Sequence, residues 1–251
     1  MLGMPDWFWW VAAAGIIAAL AARWWFGARR GIATDKAARR LGLRLIGSEA
    51  FLSSDYFLGV PLFQAGHSAA FLNVMRGEID GAEALLFDYR HTVGDLLTAM
   101  TSTSLLADVV IGYRENRAPT IYNMTIAAFR VPPGAISQFE LRQENVIDRM
   151  ADAFKGDDID FPEHTEFSKR FLLRGPNPDR IRRMFDPQLL NFLTGQKIPF
   201  CVEASGDWLV VYAFGQRVPV KHLALFWNQA RGIRNMLLEG AQRGVRAPSH
   251  A

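Results

Sequence analysis

Apolar residues run almost unbroken from position 7 to position 26, and no other part of the chain is patterned so strongly. These 20 residues read WFWWVAAAGIIAALAARWWF, with Arg23 as the one charged side chain. An α-helix of this length spans about 30 Å, which matches the hydrocarbon core of a bilayer. Tryptophan at both ends is typical of the aromatic belts at the two membrane surfaces. The segment therefore predicts a transmembrane helix over residues 7–26, anchored by Trp7, Trp9, Trp10, Trp24 and Trp25.

The charges that flank this segment predict its orientation. Asp6 is the only charged side chain before it, whereas the residues that follow are rich in arginine. Because an excess of Lys and Arg marks the cytoplasmic flank, we expect a single pass through the inner membrane, with the N-terminus outside and the rest cytoplasmic. The side chains suited to lipid headgroups, here called the basic collar, are Arg23, Arg29, Arg30, Lys36, Arg39 and Arg40.

Two other interpretations of residues 7–26 stay open. The small residues around Leu20 imitate a signal-peptide cleavage site, but such a leader begins with positively charged side chains, which are missing before residue 7. A buried helix of a soluble domain is the third interpretation, although five tryptophans in one helix are difficult to place in a core.

Beyond residue 49 the pattern changes to short apolar runs separated by turn residues. Asp80-Gly81 stands between the runs 71–79 and 82–90, and this dipeptide is a strong hairpin signal. In the second run Leu86, Asp88 and Arg90 alternate with Leu85, Phe87 and Tyr89, which predicts one solvent-facing side. Ser205-Gly206 marks a second hairpin, between 200–204 and 207–214. Further strands are predicted at 120–131, 139–142 and 171–174.

Helices are predicted between and after these strands. Asn177-Pro178 and Asp186-Pro187 each combine an N-cap residue with proline at the first helical position. Helical spacing predicts a helix over 144–155 and an amphipathic helix over 219–240. Hairpins mixed with helices, without βαβ alternation, predict an α+β fold with a mainly antiparallel sheet, flanking helices and a C-terminal amphipathic helix.

The pattern also predicts the organisation of the chain. It has four parts, which are the transmembrane helix (7–26), a basic juxtamembrane connector (27–48), an α+β cytoplasmic domain (49–243) and a frayed tail (244–251). Each half of the domain contains one hairpin, which leaves open a division into lobes of about 49–142 and 143–243. Residues 94–118 fit either a helix and strand or an excursion over the membrane.

Charge is concentrated beside the predicted membrane segment. The net charge is +3, but residues 1–44 hold seven Lys or Arg against two Asp, while the remainder holds 21 basic and 23 acidic residues. The soluble part lacks the basic excess of a nucleic-acid-binding domain, so no nucleic-acid partner is expected. Cys201 is the single cysteine and has no partner for an internal disulfide, which fits a reducing compartment.

Catalytic signatures are missing from the sequence. It contains no glycine-rich phosphate loop, GxSxG, HExxH or CxxC, so we expect no cofactor and no small-molecule ligand. One acidic stretch offers oxygen ligands beside a histidine, which suits a divalent metal or acid–base chemistry: Asp157, Asp158, Asp160 and His164. The other interpretation is a solvated loop that caps the strand after it.

Four segments resemble an uncharacterised family of bacterial membrane-anchored proteins. They are NVMRGEIDGAEALLFDYRHT, FELRQEN, DDIDFPEHTEFSKRFLLRG and the stretch from Asp186 through CVEASGDWLVVY, within roughly residues 55–215. The resemblance implies N-terminal membrane spans and an α+β cytoplasmic domain. It implies no activity and therefore transfers no functional residue.

The sequence is compatible with three functions. We expect a non-enzymatic, membrane-tethered interaction module or accessory subunit, with the bilayer and a membrane protein as partners. One alternative is a ligand-binding or catalytic domain, whose site would combine dispersed groups, either the acidic loop 157–166 with His164 or Asp88 with His91. The other is a module that binds anionic lipid.

Overall fold

The computed structural model describes residues 32–47, 52–57, 59–93, 120–143 and 158–246, together with Gly15. The predicted transmembrane helix (apart from Gly15), the predicted helix over 144–155 and residues 94–118 therefore lie outside the described residues. Among the helices that are described, none combines the length and the apolarity that a membrane crossing requires.

Within the described residues, eight antiparallel strands form one sheet in the order β1-β2-β3-β4-β8-β7-β5-β6. The strands are β1 (Arg44–Gly47), β2 (His67–Ile79), β3 (Ala82–Val93), β4 (Thr120–Arg130), β5 (Phe139–Gln143), β6 (Phe171–Arg174), β7 (Cys201–Ser205) and β8 (Trp208–Tyr212). Because β4 pairs with β8, the sheet is continuous between the two stretches that contain the hairpins.

Helices flank this sheet, and the predicted α+β class with an antiparallel sheet is confirmed. The described helices are α1 (residues 32–40), α2 (Pro61–Gln64), α3 (Thr165–Arg170), α4 (Pro178–Met184), α5 (Pro187–Thr194) and α6 (Leu223–Arg246), with 3₁₀ turns at Ser54–Phe57 and Val220–His222. α6 is the predicted amphipathic helix, and it continues beyond the predicted end at residue 240.

One face of the sheet, here called the helix face, is covered by α1 and α3–α6. α6 packs Trp227 against Phe129 of β4, with ring centroids 5.2 Å apart. The same core takes in Ile181 of α4 and Leu189 of α5, and at its other end Ala38 of α1. Burial of this continuous apolar surface is the main force that holds the helices on the sheet.

The opposite face is covered by the segment 52–63. Phe57 lies at its centre, with its ring stacked 4.3 Å from that of Phe63 and 4.9 Å from that of Trp208. The Trp208 indole Nε1 donates a hydrogen bond of 3.1 Å to the Tyr56 carbonyl oxygen. Because this bond satisfies the indole donor, burial of the aromatic cluster leaves no unpaired polar group on Trp208.

This double cover contradicts the predicted solvent-facing side of β3. Leu86 is fully buried and Asp88 is 5% exposed, although both were assigned to the wet side by their alternation with apolar residues. The prediction was wrong because Leu86 is part of the core on the helix face, and Arg217 of the loop after β8 covers Asp88. A strand covered on both sides carries a polar residue only where a partner satisfies it.

Local signals were accurate at turns and helix starts. Asp80 and Gly81 have φ of 53° and 75°, the consecutive left-handed pair that a type I′ hairpin turn requires. The N-caps are also as predicted, since Asn177 Oδ1 accepts from Arg180 N at 3.1 Å and Asp186 Oδ1 accepts from Leu189 N at 2.8 Å.

Candidate functional site

The acidic stretch is partly described, and its members have separate surroundings. Asp158 Oδ1 accepts a hydrogen bond of 2.8 Å from Leu173 N in β6, and burial raises the pKa of this carboxyl group. Asp160 is exposed, and His164 precedes α3 with its side chain half-buried. No cluster of three metal-ligating side chains occurs among the described residues. Asp157 lies outside them, so the metal site stays a prediction.

The basic collar is described only in α1. Lys36, Arg39 and Arg40 are exposed there, and the Arg39 Nη2 atom lies 3.1 Å from Asp35 Oδ2. The remaining collar residues and all five N-terminal tryptophans lie outside the described part. The predicted headgroup contacts therefore stay a prediction.

Asp88 and His91 lie on opposite faces of the sheet and form no common site. Asp88, on the helix face, accepts from Arg217 Nε and Nη2 at 2.9 and 2.7 Å and from Thr125 Oγ1 at 2.8 Å. His91 is enclosed on the other face, with ring centroids 5.2 Å from Tyr89 and 5.6 Å from Tyr122. Burial lowers the pKa of His91 to about 4, so the imidazole is neutral at physiological pH.

A buried charge cluster occupies the same face as His91, farther along the sheet. Glu203 Oε1 accepts from the Tyr212 hydroxyl at 2.5 Å, and Oε2 accepts from Leu62 N at 2.8 Å. Arg142 Nη2 lies 3.7 Å from Glu203 Oε1, and its Nε contacts Glu140. Burial raises the pKa of Glu203 against the opposing influence of Arg142.

This cluster holds α2 to the sheet, and its burial argues against catalysis. All four side chains are at most 5% exposed, so a substrate in solution has no access to them. Sequence reasoning did not single them out. The available signal was the three charged residues inside two short apolar strands, FELRQ and CVEAS.

A cavity of about 460 Å³ lies on the helix side of the molecule, between the loop after α5, the loop after β8 and the start of α6. We call it the apolar groove. Its volume falls within the usual range for binding sites, about 300–1,000 Å³. Its lining consists of Gly195, Gln196, Lys197, Ile198, Phe200, Ala213, Gln216, Arg217, Val218, Pro219, His222, Leu225, Phe226 and Gln229.

Hydrogen bonds fix the walls of the apolar groove. Arg170 of α3 donates to the carbonyl oxygens of Thr194 and Gln196 at 2.5 and 2.6 Å, which holds the loop after α5. Gln229 of α6 donates to Gln196 Oε1 at 2.7 Å and so joins two walls. Val218 N donates to Thr125 Oγ1 at 2.9 Å, which ties the third wall to β4. The groove is therefore built into the fold.

The chemistry of the lining suits binding better than catalysis. Among the described residues, it contains no Ser, Thr, Cys, Asp or Glu, so no hydroxyl, thiol or carboxylate accompanies His222 there. Ile198 and Leu225 stand at the groove with 49% and 59% of their surface exposed. Large apolar side chains exposed together on a folded domain are typical of interaction surfaces.

Sequence reasoning missed the apolar groove because two separate stretches of the chain, within 195–200 and 213–229, form it. The one available signal was Leu225, which lies outside the apolar stripe of the predicted C-terminal helix. A leucine outside the apolar stripe of an amphipathic helix is not placed to pack in the core. It is therefore a candidate contact residue on the surface.

Comparisons with known proteins give one structural likeness to report. No family model matches the chain, and no curated protein matches it. The fold is similar to the crystal structure of the mycobacterial trehalose monomycolate transport factor A, TtfA. The TM-score is 0.53 at 14% sequence identity, over 84% of this chain and 93% of that chain. At this identity the likeness shows a shared α+β fold.

Proposed function

We propose that this protein is a membrane-tethered, non-enzymatic docking module, an accessory subunit that holds a partner at the cytoplasmic side of the inner membrane. The observation that carries the proposal is the apolar groove, whose described lining residues offer exposed apolar surface and basic groups but no hydroxyl, thiol or carboxylate. Binding chemistry is present there without the pair of groups that acid–base or nucleophilic catalysis uses.

Tethering is the second part of the proposal and is supported by the sequence of residues 7–26. A single helix with tryptophans at both ends and a basic flank would fix the domain at the membrane surface. Confinement to the membrane raises the effective concentration of the domain near membrane partners, so a modest groove affinity suffices.

The structural neighbour lends support to an accessory role. Its name describes a transport factor for trehalose monomycolate. A related role for this chain would place the docking module beside a membrane transport assembly.

The proposal is tested by fractionation followed by affinity purification. The full-length chain should remain in membranes washed with carbonate, whereas a variant with Ile16→Lys and Ile17→Lys should move to the supernatant. From membranes solubilised in mild detergent, the wild-type chain should bring down a membrane protein in a fixed ratio. If the wild-type chain and the variant are both recovered from the aqueous fraction, tethering is refuted. If the wild-type chain purifies without any membrane protein, docking is refuted.

A further inference from the structure

The ionisable side chains described in the lining of the apolar groove are all basic. They are Lys197, Arg217 and His222, and the described lining itself contributes no carboxylate. Residues 208–238, which provide two of its three walls, contain no Asp or Glu. Asp88 neutralises Arg217 through an ion pair of 2.7 Å, so Lys197 and the imidazole of His222 are the other basic lining groups that a ligand can meet.

The start of α6 adds to this positive potential. Lys221 and His222 are exposed directly before Leu223, and the first turn of α6 has no acidic residue. The N-terminal end of a helix already carries partial positive charge, so cations there are unfavourable within the isolated chain. A carboxylate brought by a ligand would relieve this arrangement.

The shape of the groove favours a polypeptide over a ligand enclosed within the cavity. Ile198 and Leu225 belong to the lining yet keep 49% and 59% of their surface exposed, so a ligand that lies across the opening would cover them. Gln196, Gln216 and Gln229 supply amide groups for hydrogen bonds around the apolar floor. An apolar centre with a polar edge is the usual anatomy of a protein–protein interface.

We propose that the apolar groove binds an acidic amphipathic segment of the partner protein, an inference that rests on the proposed docking function. The apolar side chains of that segment contact Ile198, Leu225 and the floor at Phe200 and Phe226. Its carboxylates meet Lys197, Lys221 and His222. This is the helix-in-groove mode of recognition, with charge selecting the partner.

The probe for this inference is a synthetic 14-residue peptide with leucine on one helical face and glutamate on the other. A matched peptide has lysine at every glutamate position. Each is labelled and titrated by fluorescence anisotropy onto the full-length chain in phosphatidylcholine nanodiscs, with empty discs subtracted. If the chain stays in the aqueous phase, the same titration is made without discs. The glutamate peptide should bind at least 10-fold more tightly than the lysine peptide.

Variants decide whether this binding uses the apolar groove. Lys197→Glu combined with Lys221→Glu should lower the affinity for the glutamate peptide at least 10-fold. Leu225→Ser should lower that affinity about 5-fold. Two control variants outside the groove lining should bind the glutamate peptide with an affinity within 2-fold of the wild-type value. Lys169→Glu removes an exposed lysine on α3, and Ile32→Ser removes an exposed apolar residue on α1.

Three results would overturn the inference. They are equal binding of both peptides, insensitivity to the Lys197 and Lys221 substitutions, and displacement of the peptide by phosphatidylglycerol vesicles but not by phosphatidylcholine vesicles, which would make the groove a lipid site. None of these removes a membrane partner from an affinity purification. If the membrane partner still co-purifies while the peptide titration is negative, the proposed docking function holds and the partner contacts a different surface.

Discussion

At the scale of single residues, His91 shows how enclosure makes stability depend on pH. The imidazole is fully buried between two tyrosine rings, and neither Nδ1 nor Nε2 has a hydrogen-bond partner. Its pKa falls from 6.5 to about 4 because burial disfavours the charged form. Below pH 6.5 the unfolded chain therefore binds a proton that the folded chain does not.

The first prediction follows from that difference. The free energy of unfolding should decrease as pH falls from 6.5 to 4, by up to about 3 kcal/mol from this residue. His91→Phe should remove that part of the slope. Urea unfolding at several pH values measures it, with His164→Phe as the control on a partly exposed histidine. An identical slope in wild type and His91→Phe would contradict the assignment.

Arg142 gives the second prediction, because it balances two buried carboxylates. Arg142→Met should lower the free energy of unfolding by about 3–5 kcal/mol, since Glu140 and Glu203 then stay buried without their cation. Adding Glu140→Gln and Glu203→Gln should restore much of the loss. Chemical denaturation compares the two variants, and equal stability would show that the charges are not coupled.

Residues of this kind are the hardest to identify from sequence. The strands that carry Glu203 and Arg142 were predicted, but a charge within a strand is ordinarily assigned to a solvent face. Only the pairing of β5 with β7 brings these side chains together. That pairing is a long-range property, and no local pattern encodes it.

At the scale of secondary-structure elements, the contact between α4 and α6 depends on the absence of a side chain. A Cβ on Gly240 would lie 2.3 Å from the Met184 carbonyl oxygen, whereas a Cβ on Gly232 in the same helix meets nothing within 4 Å. Gly240→Ala should therefore cost about 2–3 kcal/mol through displaced backbone. Gly232→Ala should gain about 0.5–1 kcal/mol from helix propensity. Thermal unfolding tests both, and a stable Gly240→Ala variant would refute the close approach.

The loop after β8 offers a test of how a wall of the apolar groove is held. Thr125→Val removes a donor to Asp88 and an acceptor for Val218 N, so we expect a loss of about 1–3 kcal/mol. Amide exchange at Val218 should accelerate, while Thr125→Ser should retain slow exchange. Unchanged protection in Thr125→Val would show that the threonine does not hold the loop.

Elements were predicted from sequence where the signal is local. Asp80-Gly81 gave the first hairpin because both residues tolerate a positive φ, and Asn177 and Asp186 gave helix starts because their side chains reach the third backbone amide. The strand order was not predictable, since β4 joins β8 across a long stretch of intervening chain. The apolar groove depends on that order and could not be foreseen.

At the scale of the whole molecule, both faces of the sheet are covered, so few of its described side chains are accessible to a ligand. Glu203 and Arg142 are sealed inside, while the apolar groove is open and lined with binding groups. Its mouth at Ile198 and Leu225 is where a partner would contact the domain that residues 7–26 are proposed to anchor. The central claim is therefore that this chain acts by docking a membrane partner through the apolar groove.

The most direct test is the stoichiometry of the partner recovered with wild type and with a groove variant. The wild-type chain and Ile32→Ser should each recover one membrane protein at a constant ratio from native membranes in mild detergent. Ile198→Ser combined with Leu225→Ser should recover it at one-tenth of that ratio or less, at equal expression and unchanged melting temperature. The same ratio in all three, or a wild-type chain that always purifies alone, would contradict the account.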